Sequence, residues 1–219
     1  MAEAQPVTPG LIAFDLDGTL IDSAAGIHAS LVAACAALDV PPPSRERLQR
    51  HIGPPLRDYL PGLLGFTPEQ RDRLLEPLLQ AFRQHHDREG WDLFQLYAGA
   101  LELLQTLHTQ GWQLHVVTLK PAPLAAQVLE RSGIGALVRS LQAPQPGGRI
   151  HKAACLEQLR QPALPVHWYV GDTAGDQRAA AEAGYRFAAA DYGYGGDLDA
   201  VDRINSPLEL LQLTLQDRR

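Results

Sequence analysis

Leu11-Ile12-Ala13-Phe14-Asp15-Leu16-Asp17-Gly18-Thr19-Leu20-Ile21-Asp22-Ser23 is the stretch on which the fold turns. Its first four residues are apolar without alternation, and a polar, glycine-containing segment closes them. Such a run reads as a strand buried on both faces, the habit of strands in parallel sheets. Asp15 and Asp17 then stand just past the strand's carboxyl end, where open parallel sheets bind their ligands. Aspartates also serve as plain turn residues, but Asp-x-Asp-Gly-Thr at a strand end is a rare turn.

Downstream, residues 22–90 carry helical rather than strand patterns. Ser23 is a candidate cap for a helix with apolar positions Ile27, Leu31, Cys35 and Leu38, ended by Pro41-Pro42-Pro43. Ser44 can cap a short helix that stops near Gly53. Thr67-Pro68-Glu69-Gln70 has the capping-box pattern and opens a stripe of Leu74, Leu75, Leu78, Leu79 and Phe82. Pro77 within that stripe predicts a kink or a break. After Gly90 helices and strands alternate: helix 97–110, strand 113–118, helix 123–132, a weaker strand 137–141, helix 151–160, strand 166–170, helix 176–183 and an apolar run 187–190. Ser206-Pro207-Leu208-Glu209 opens a last helix. This alternation predicts an α/β fold, a doubly wound parallel sheet, with a helical insertion after the first strand. The expected division is residues 1–21 and 91–219 as the core and 22–90 as the helical unit.

The chain has 219 residues, 45% of them hydrophobic and 20% charged, which suits an ordinary globular protein and excludes wholesale disorder. A net charge of −6 argues against a broad nucleic-acid-binding face. No apolar run is long enough for a membrane span. The first residues, Met1 to Pro6, lack the basic and apolar regions of a secretory leader. Two cysteines, Cys35 and Cys155, make no disulfide framework, so a cytoplasmic address is expected. The expected partner is a small molecule, bound by a monomer or a homodimer.

Four predicted strand ends or helix starts carry polar groups: Asp15 and Asp17, Thr118 and Lys120, Lys152, and Asp172 with Asp176. Together they make an acidic cluster facing a hydroxyl and ammonium groups. Carboxylates of this kind suit a hard divalent cation, magnesium (Mg2+), and a lysine and a threonine beside it suit a phosphate. Of 19 basic residues only Lys120 and Lys152 are lysine. Where arginine supplies the surface charge, two retained lysines at these places point to work that needs a compact ammonium. Other residues read more plainly. Asp176 can also cap a helix, His85 and His86 fit a solvated helix end, and His115 fits a structural place in its strand. Asp197, Asp199 and Asp202 read as a solvated loop. Arg57 either reaches a substrate from the insertion or is a surface arginine.

Asp15-Leu16-Asp17-Gly18-Thr19-Leu20-Ile21-Asp22-Ser23 resembles the first motif of the haloacid dehalogenase superfamily of phosphohydrolases. Val116-Val117-Thr118-Leu119-Lys120-Pro121 resembles its second motif, Lys152 its third-motif lysine and Gly171-Asp172-Thr173-Ala174-Gly175-Asp176 its fourth. The motifs fall in order over about Leu11 to Gly196. The segment ending in Gly193-Tyr194-Gly195 is similar to the phosphoglycolate-phosphatase-like subgroup, whose helical cap matches the insertion. The resemblance implies that Asp15 attacks phosphorus to form an aspartyl-phosphate and that Asp17 moves protons. It further implies that Thr118 and Lys152 neutralise phosphoryl oxygens and that Gly18 lets the backbone approach. Magnesium is implied, with Asp15, Asp17, Asp172 and Asp176 as its ligand set. Lys120 and Arg57 join Gly18, Thr118 and Lys152 as expected substrate contacts. The function implied is a phosphatase for a small phosphomonoester. The alternatives are a phosphomutase on the same scaffold and a non-catalytic signalling or binding protein phosphorylated on aspartate. The signalling receivers are shorter, and their aspartate follows the third strand.

Overall fold

The computed structural model describes residues 9–196 and 198–216. The first eight residues of the expected lead-in, and Asp197 of the acidic run, lie outside them. In chain order the elements are β1 (Leu11–Phe14), β2 (Ile21–Asp22), α1 (Ala24–Ala37), α2 (Arg45–Gln49), α3 (Leu56–Leu64), α4 (Pro68–His86), β3 (Gln95–Leu96), α5 (Ala100–Thr109), β4 (Gln113–Val117), α6 (Ala122–Arg131), β5 (Ser140–Gln142), α7 (Lys152–Leu159), β6 (His167–Gly171), α8 (Ala174–Ala183), β7 (Arg186–Ala190), β8 (Asp202–Ile204) and α9 (Leu210–Gln216).

Six strands form one sheet in the order β5-β4-β1-β6-β7-β8, with parallel pairing throughout. The chain leaves β1 toward β4 and β5, then returns to place β6 on the other side of β1. The topological switch point therefore lies between β1 and β6, where Phe14 is level with Val170. Strand pleating sends alternate residues to opposite faces. Ile12 and Phe14 join a core with Leu103, Leu104, Leu107, Val128 and Leu210. Leu11 and Ala13 join another with Leu156, Ala179, Ala180 and Ala183. Both faces of β1 are therefore covered, as its unbroken apolar run predicts.

The helices between β2 and β3 have a core of their own, with Leu31, Leu48, Leu60 and Leu78 fully buried. Their two chain ends are tied together by the antiparallel pair β2–β3, with Ile21 opposite Leu96. Helix α4 starts at the expected capping box, Thr67 and Gln70 bonding reciprocally. It then runs through Pro77 without the predicted break. Pro77 is exposed, so the Arg73 carbonyl that loses its partner faces solvent and costs little. Two other local readings shift. Helix α5 starts at Ala100, three residues later than expected, because Gly99 bends the chain with φ of 85°. Helix α8 starts at Ala174, capped by Thr173 with Asp176 as its capping-box partner, so Asp176 is not the N-cap. Asp202 lies in β8, paired with Arg186, rather than in a solvated loop.

The histidines divide differently from the sequence reading. His86 is buried, not solvated. Helix α4 ends against α1, where its Nδ1 lies 3.1 Å from the Ser30 hydroxyl. His115 is structural as expected, with Nδ1 2.7 Å from the Ser140 hydroxyl. Burial, followed by the charge of Arg139, pushes His115 down to about 4.

This gives a sign to the acid response. The unfolded chain takes up a proton near pH 6.5 while the fold keeps His115 neutral, so its share of stability is lost as pH falls from there toward 4. One such histidine accounts for about 2 kcal/mol between about pH 7 and pH 5. In urea unfolding, His115→Gln should lose that much less stability than the wild type over the interval. Equal losses would mean that His115 is protonated in the fold.

Candidate active site

Asp15 is the first residue past β1, and its amide is anchored on the Val170 carbonyl at 2.9 Å. Asp172 is the first residue past β6, the neighbouring strand. Asp176 sits in the first turn of α8, and Lys152 is the first residue of α7. The four side chains meet at the switch point. Lys152 Nζ lies 2.9 Å from Asp15 Oδ1 and 2.6 Å from Asp176 Oδ1. Ligand oxygens of Asp15, Asp172 and Asp176 all lie within 4.8 Å of one another.

Asp176 is fully buried and accepts bonds at both oxygens. Lys152 and the Tyr169 hydroxyl (2.8 Å) reach Oδ1, and the amide (3.1 Å) and hydroxyl (2.5 Å) of Thr173 reach Oδ2. Burial alone would raise its pKa. The charge of Lys152 and these hydrogen bonds outweigh burial and hold it below the usual carboxylate range. Asp172 has weaker support, from the Tyr194 amide at 2.8 Å and the Thr19 hydroxyl at 3.4 Å. Burial first, then repulsion from Asp15 and Asp176, pushes it up to about 8. Burial likewise lifts Asp15 to about 7 against the pull of Lys152. Lys152 itself is driven well above its ordinary value. Burial opposes its charge, but Asp15 and Asp176 prevail.

Three buried carboxylates share one ammonium, which leaves two negative charges uncompensated when all are ionised. A divalent cation cancels that excess, and carboxylate oxygens are the donors a hard ion such as magnesium takes. Asp15, Asp172 and Asp176 therefore make a cluster of buried carboxylates that fits a dication.

Asp17 stands apart from that cluster. Its carboxylate pairs with Lys120 Nζ at 3.1 and 3.4 Å, and both side chains are largely buried. Burial would raise Asp17, but Lys120 overrides it and keeps the carboxyl below the usual range. Thr118 follows β4, is buried, and accepts the Lys120 amide at 3.2 Å. Gly18 has φ of 87°, and a Cβ there would collide with the Asp172 carboxylate. The structure thus gathers Asp15, Lys152, Asp172, Asp176 and Gly18 at one point, with the Asp17–Lys120 pair beside them. It does not bring Arg57 there. Arg57 makes a forked ion pair with Glu76 on α4, and both are exposed.

Sequence reasoning missed Tyr169, Thr173, Thr19 and Tyr194. Tyr169 read as one more apolar residue of a buried strand. Its ring does pack there, while its hydroxyl reaches Asp176 and, at 3.1 Å, the Val117 carbonyl. For Thr173 a signal existed, since Thr173-x-x-Asp176 has capping-box spacing.

A family model described as haloacid dehalogenase-like hydrolase matches residues 12–190. Tyrosine-protein kinase PtkA of Mycobacterium tuberculosis (strain ATCC 25618 / H37Rv) is 32% identical over 219 residues, covering 97% of this chain and 72% of its own length. A phosphoglycolate phosphatase of Cereibacter sphaeroides (strain ATCC 17025 / ATH 2.4.3) is 32% identical over 195 residues, covering 85% of this chain and 86% of its own. A solved haloacid dehalogenase-like family protein, SP0104 from Streptococcus pneumoniae, superposes with a TM-score of 0.82 at 26% identity, covering 93% and 97% of the two chains.

The crowding at Gly18 yields a direct test. Gly18→Ala forces a methyl group into the Asp172 carboxylate and a side chain into left-handed backbone, a cost of about 1–3 kcal/mol. The variant should melt several degrees lower, and added Mg2+ should raise its melting temperature less than it raises that of the wild type. An unchanged Mg2+ response would show that Gly18 does not guard the carboxylate cluster.

Proposed function

This chain belongs to the haloacid dehalogenase-like hydrolase family and is a phosphoric monoester hydrolase, and from that premise we propose that it hydrolyses a small phosphomonoester through an aspartyl-phosphate on Asp15. The observation that carries the reading is the separation of the two first-motif aspartates. Asp15 lies on Lys152 among the clustered carboxylates, and Asp17 lies on a different lysine two residues on. Magnesium, held by Asp15, Asp172 and Asp176, would supply charge neutralisation at the transferring phosphoryl group.

The chain's own groups then divide the work. A carboxylate oxygen of Asp15 forms the new bond to phosphorus as the bond to the leaving oxygen breaks. Lys152 and the Thr118 hydroxyl bind the phosphoryl oxygens and favour the charge that spreads over them in the transition state. Asp17 gives the leaving alkoxide a proton, then takes one from the water that cleaves the aspartyl-phosphate. Lys120 favours the ionised form of Asp17, which suits the second step. An arriving phosphate brings negative charge next to Asp17 and competes for Lys120. Both effects favour the protonated carboxyl that the first step needs.

Helices α1–α4 act as a cap in this proposal. Gly53, before α3, lies against the Thr173 side chain, so the insertion touches the segment that follows Asp172. A covered site favours a small leaving group over a macromolecular one. Phosphoglycolate heads the test panel, because a relative bears that substrate's name. Cytoplasmic work fits two unpaired buried cysteines.

Purified protein should release phosphate from an aryl phosphate and from one member of a panel of small esters, in a manner abolished by EDTA and restored by Mg2+. Asp15→Asn should end turnover and yield no phosphoenzyme. Asp17→Asn should slow alkyl esters by roughly 10²–10⁴ yet accumulate phosphate on the Asp15 peptide from an aryl ester. A phosphate adduct on another residue overturns the nucleophile. Incubation with ATP and a tyrosine peptide tests the activity in the kinase relative's name, and phosphotyrosine formed faster than phosphate release would overturn hydrolysis as the function.

Arg57 supplies a separate check. Because it is engaged with Glu76, Arg57→Ala should leave KM for the preferred ester within about twofold of wild type, as expected for an exposed ion pair. A large selective rise in KM would place Arg57 at the substrate after all.

A further inference from the structure

The Tyr194 side chain joins two parts of the molecule that the chemistry described above uses separately. Its hydroxyl donates to Asp22 Oδ1 at 2.7 Å and accepts the amides of Ser23 (2.7 Å) and Ala24 (3.1 Å). Those amides are the first donors of α1, the helix that enters the insertion. The expected Ser23 side-chain cap is not made. Asp22 Oδ1 also takes the Ala24 amide, at 3.0 Å. The start of α1 is therefore capped from a loop 170 residues away in sequence.

At its other end Tyr194 touches the carboxylate cluster. Its amide donates to Asp172 Oδ2, the oxygen Gly18 also faces. The flanking glycines explain how the loop gets so close. A side chain at Gly193 would strike the Gly18 carbonyl and the Asp172 Cβ, and one at Gly195 would strike the Asp172 carbonyl. Between the two ends the ring packs with Ala24 and with Ile52 of the insertion. Burial keeps the phenol protonated, so the donor to Asp22 persists at any working pH.

We propose that Tyr194 is a positioning residue that couples the Asp22–Ala24 entry of the helical insertion to the carboxylate Asp172 of the proposed metal site. A movement of the Asp22–Ala24 segment pulls on the hydroxyl, and the rigid ring transmits it to the amide that orients Asp172. The insertion's setting and the grip on the cation are then one equilibrium. This rests on the reading of Asp15, Asp172 and Asp176 as a magnesium site, and its test needs no turnover.

Tyr194→Phe keeps the ring and deletes only the hydroxyl. In metal-stripped full-length protein, hydrogen exchange should quicken at the Ser23 and Ala24 amides by roughly tenfold, while core strands stay protected. Calorimetric titration should show Mg2+ affinity weakened by about threefold or more, as expected for a loosened hydrogen bond to a carboxylate. Asp22→Ala removes the acceptor of the phenol proton and one bond to the Ala24 amide while leaving the two amide bonds to the hydroxyl, so it should shift both readouts in the same direction by a smaller amount, and the test survives if one variant fails to fold. Faster exchange with unchanged Mg2+ affinity overturns the coupling, and so does unchanged exchange. Asp172→Asn separates the premises. If it abolishes Mg2+ binding while Tyr194→Phe does not weaken it, only the coupling falls. If it binds Mg2+ like the wild type, the metal reading and the coupling fall together.

Discussion

Three carboxylates buried around a single ammonium, at the meeting of β1 and β6, are the constraint to which the surrounding structure answers. Burying charge is expensive unless it is paired, and breaking such a cluster leaves charge with no compensation. The fold meets that cost unevenly. Asp176 is satisfied at both oxygens by Lys152, Tyr169 and Thr173. Asp15 and Asp172 are left with fewer donors than burial demands, and their proton affinities rise accordingly. A structure selected for stability alone would have filled this place with apolar side chains. An incompletely neutralised cluster at the ligand-binding edge of a parallel sheet marks a place suited to a cation that completes the balance.

The scarcity of lysine gives that arrangement a second level. The two lysines each hold one aspartate of the first motif, Lys152 on Asp15 and Lys120 on Asp17. An ammonium is a compact charge whose three donors can turn from a carboxylate to a phosphate, which a planar guanidinium cannot do in the same space. One residue separates the aspartates, yet their partners come from the turn after β4 and from the start of α7, so the two carboxylates can be charged independently.

What the sequence discloses is what is decided locally. An unbroken apolar run followed by Asp-x-Asp-Gly-Thr fixes a buried strand and its loop within a dozen residues, and the alternation after Gly90 follows from periods and caps. Thr67 and Gln70 form their capping box because both partners lie within one turn. The readings that changed are those decided by distant partners. His86 looks solvated until α1 brings Ser30 against it. Arg57 looks available until α4 presents Glu76. Ser23 looks like a cap until Tyr194 takes its place. Pro77 breaks nothing because its side of α4 faces solvent, a fact of packing that helix propensity does not contain.

The helical insertion is mounted on the loop that carries Asp15, Asp17 and Gly18. Strand β2 begins four residues after Asp17, and the Gly18 amide bonds back to the Ile21 carbonyl at 2.9 Å. The Thr19 hydroxyl donates to Asp172, and its carbonyl accepts from the Tyr192 hydroxyl. A shift of the insertion is therefore carried into Asp17, Gly18 and Thr19 through a few stiff, hydrogen-bonded residues. A cap joined by long linkers could exchange one substrate for another without disturbing catalysis. Here the two are geometrically linked, so in the proposed reaction a leaving group that left the insertion badly seated would also leave Asp17 and Asp172 badly aimed. Under that proposal selectivity would be expressed in turnover as much as in binding, because the correct ester would be the one whose fit completes the catalytic geometry.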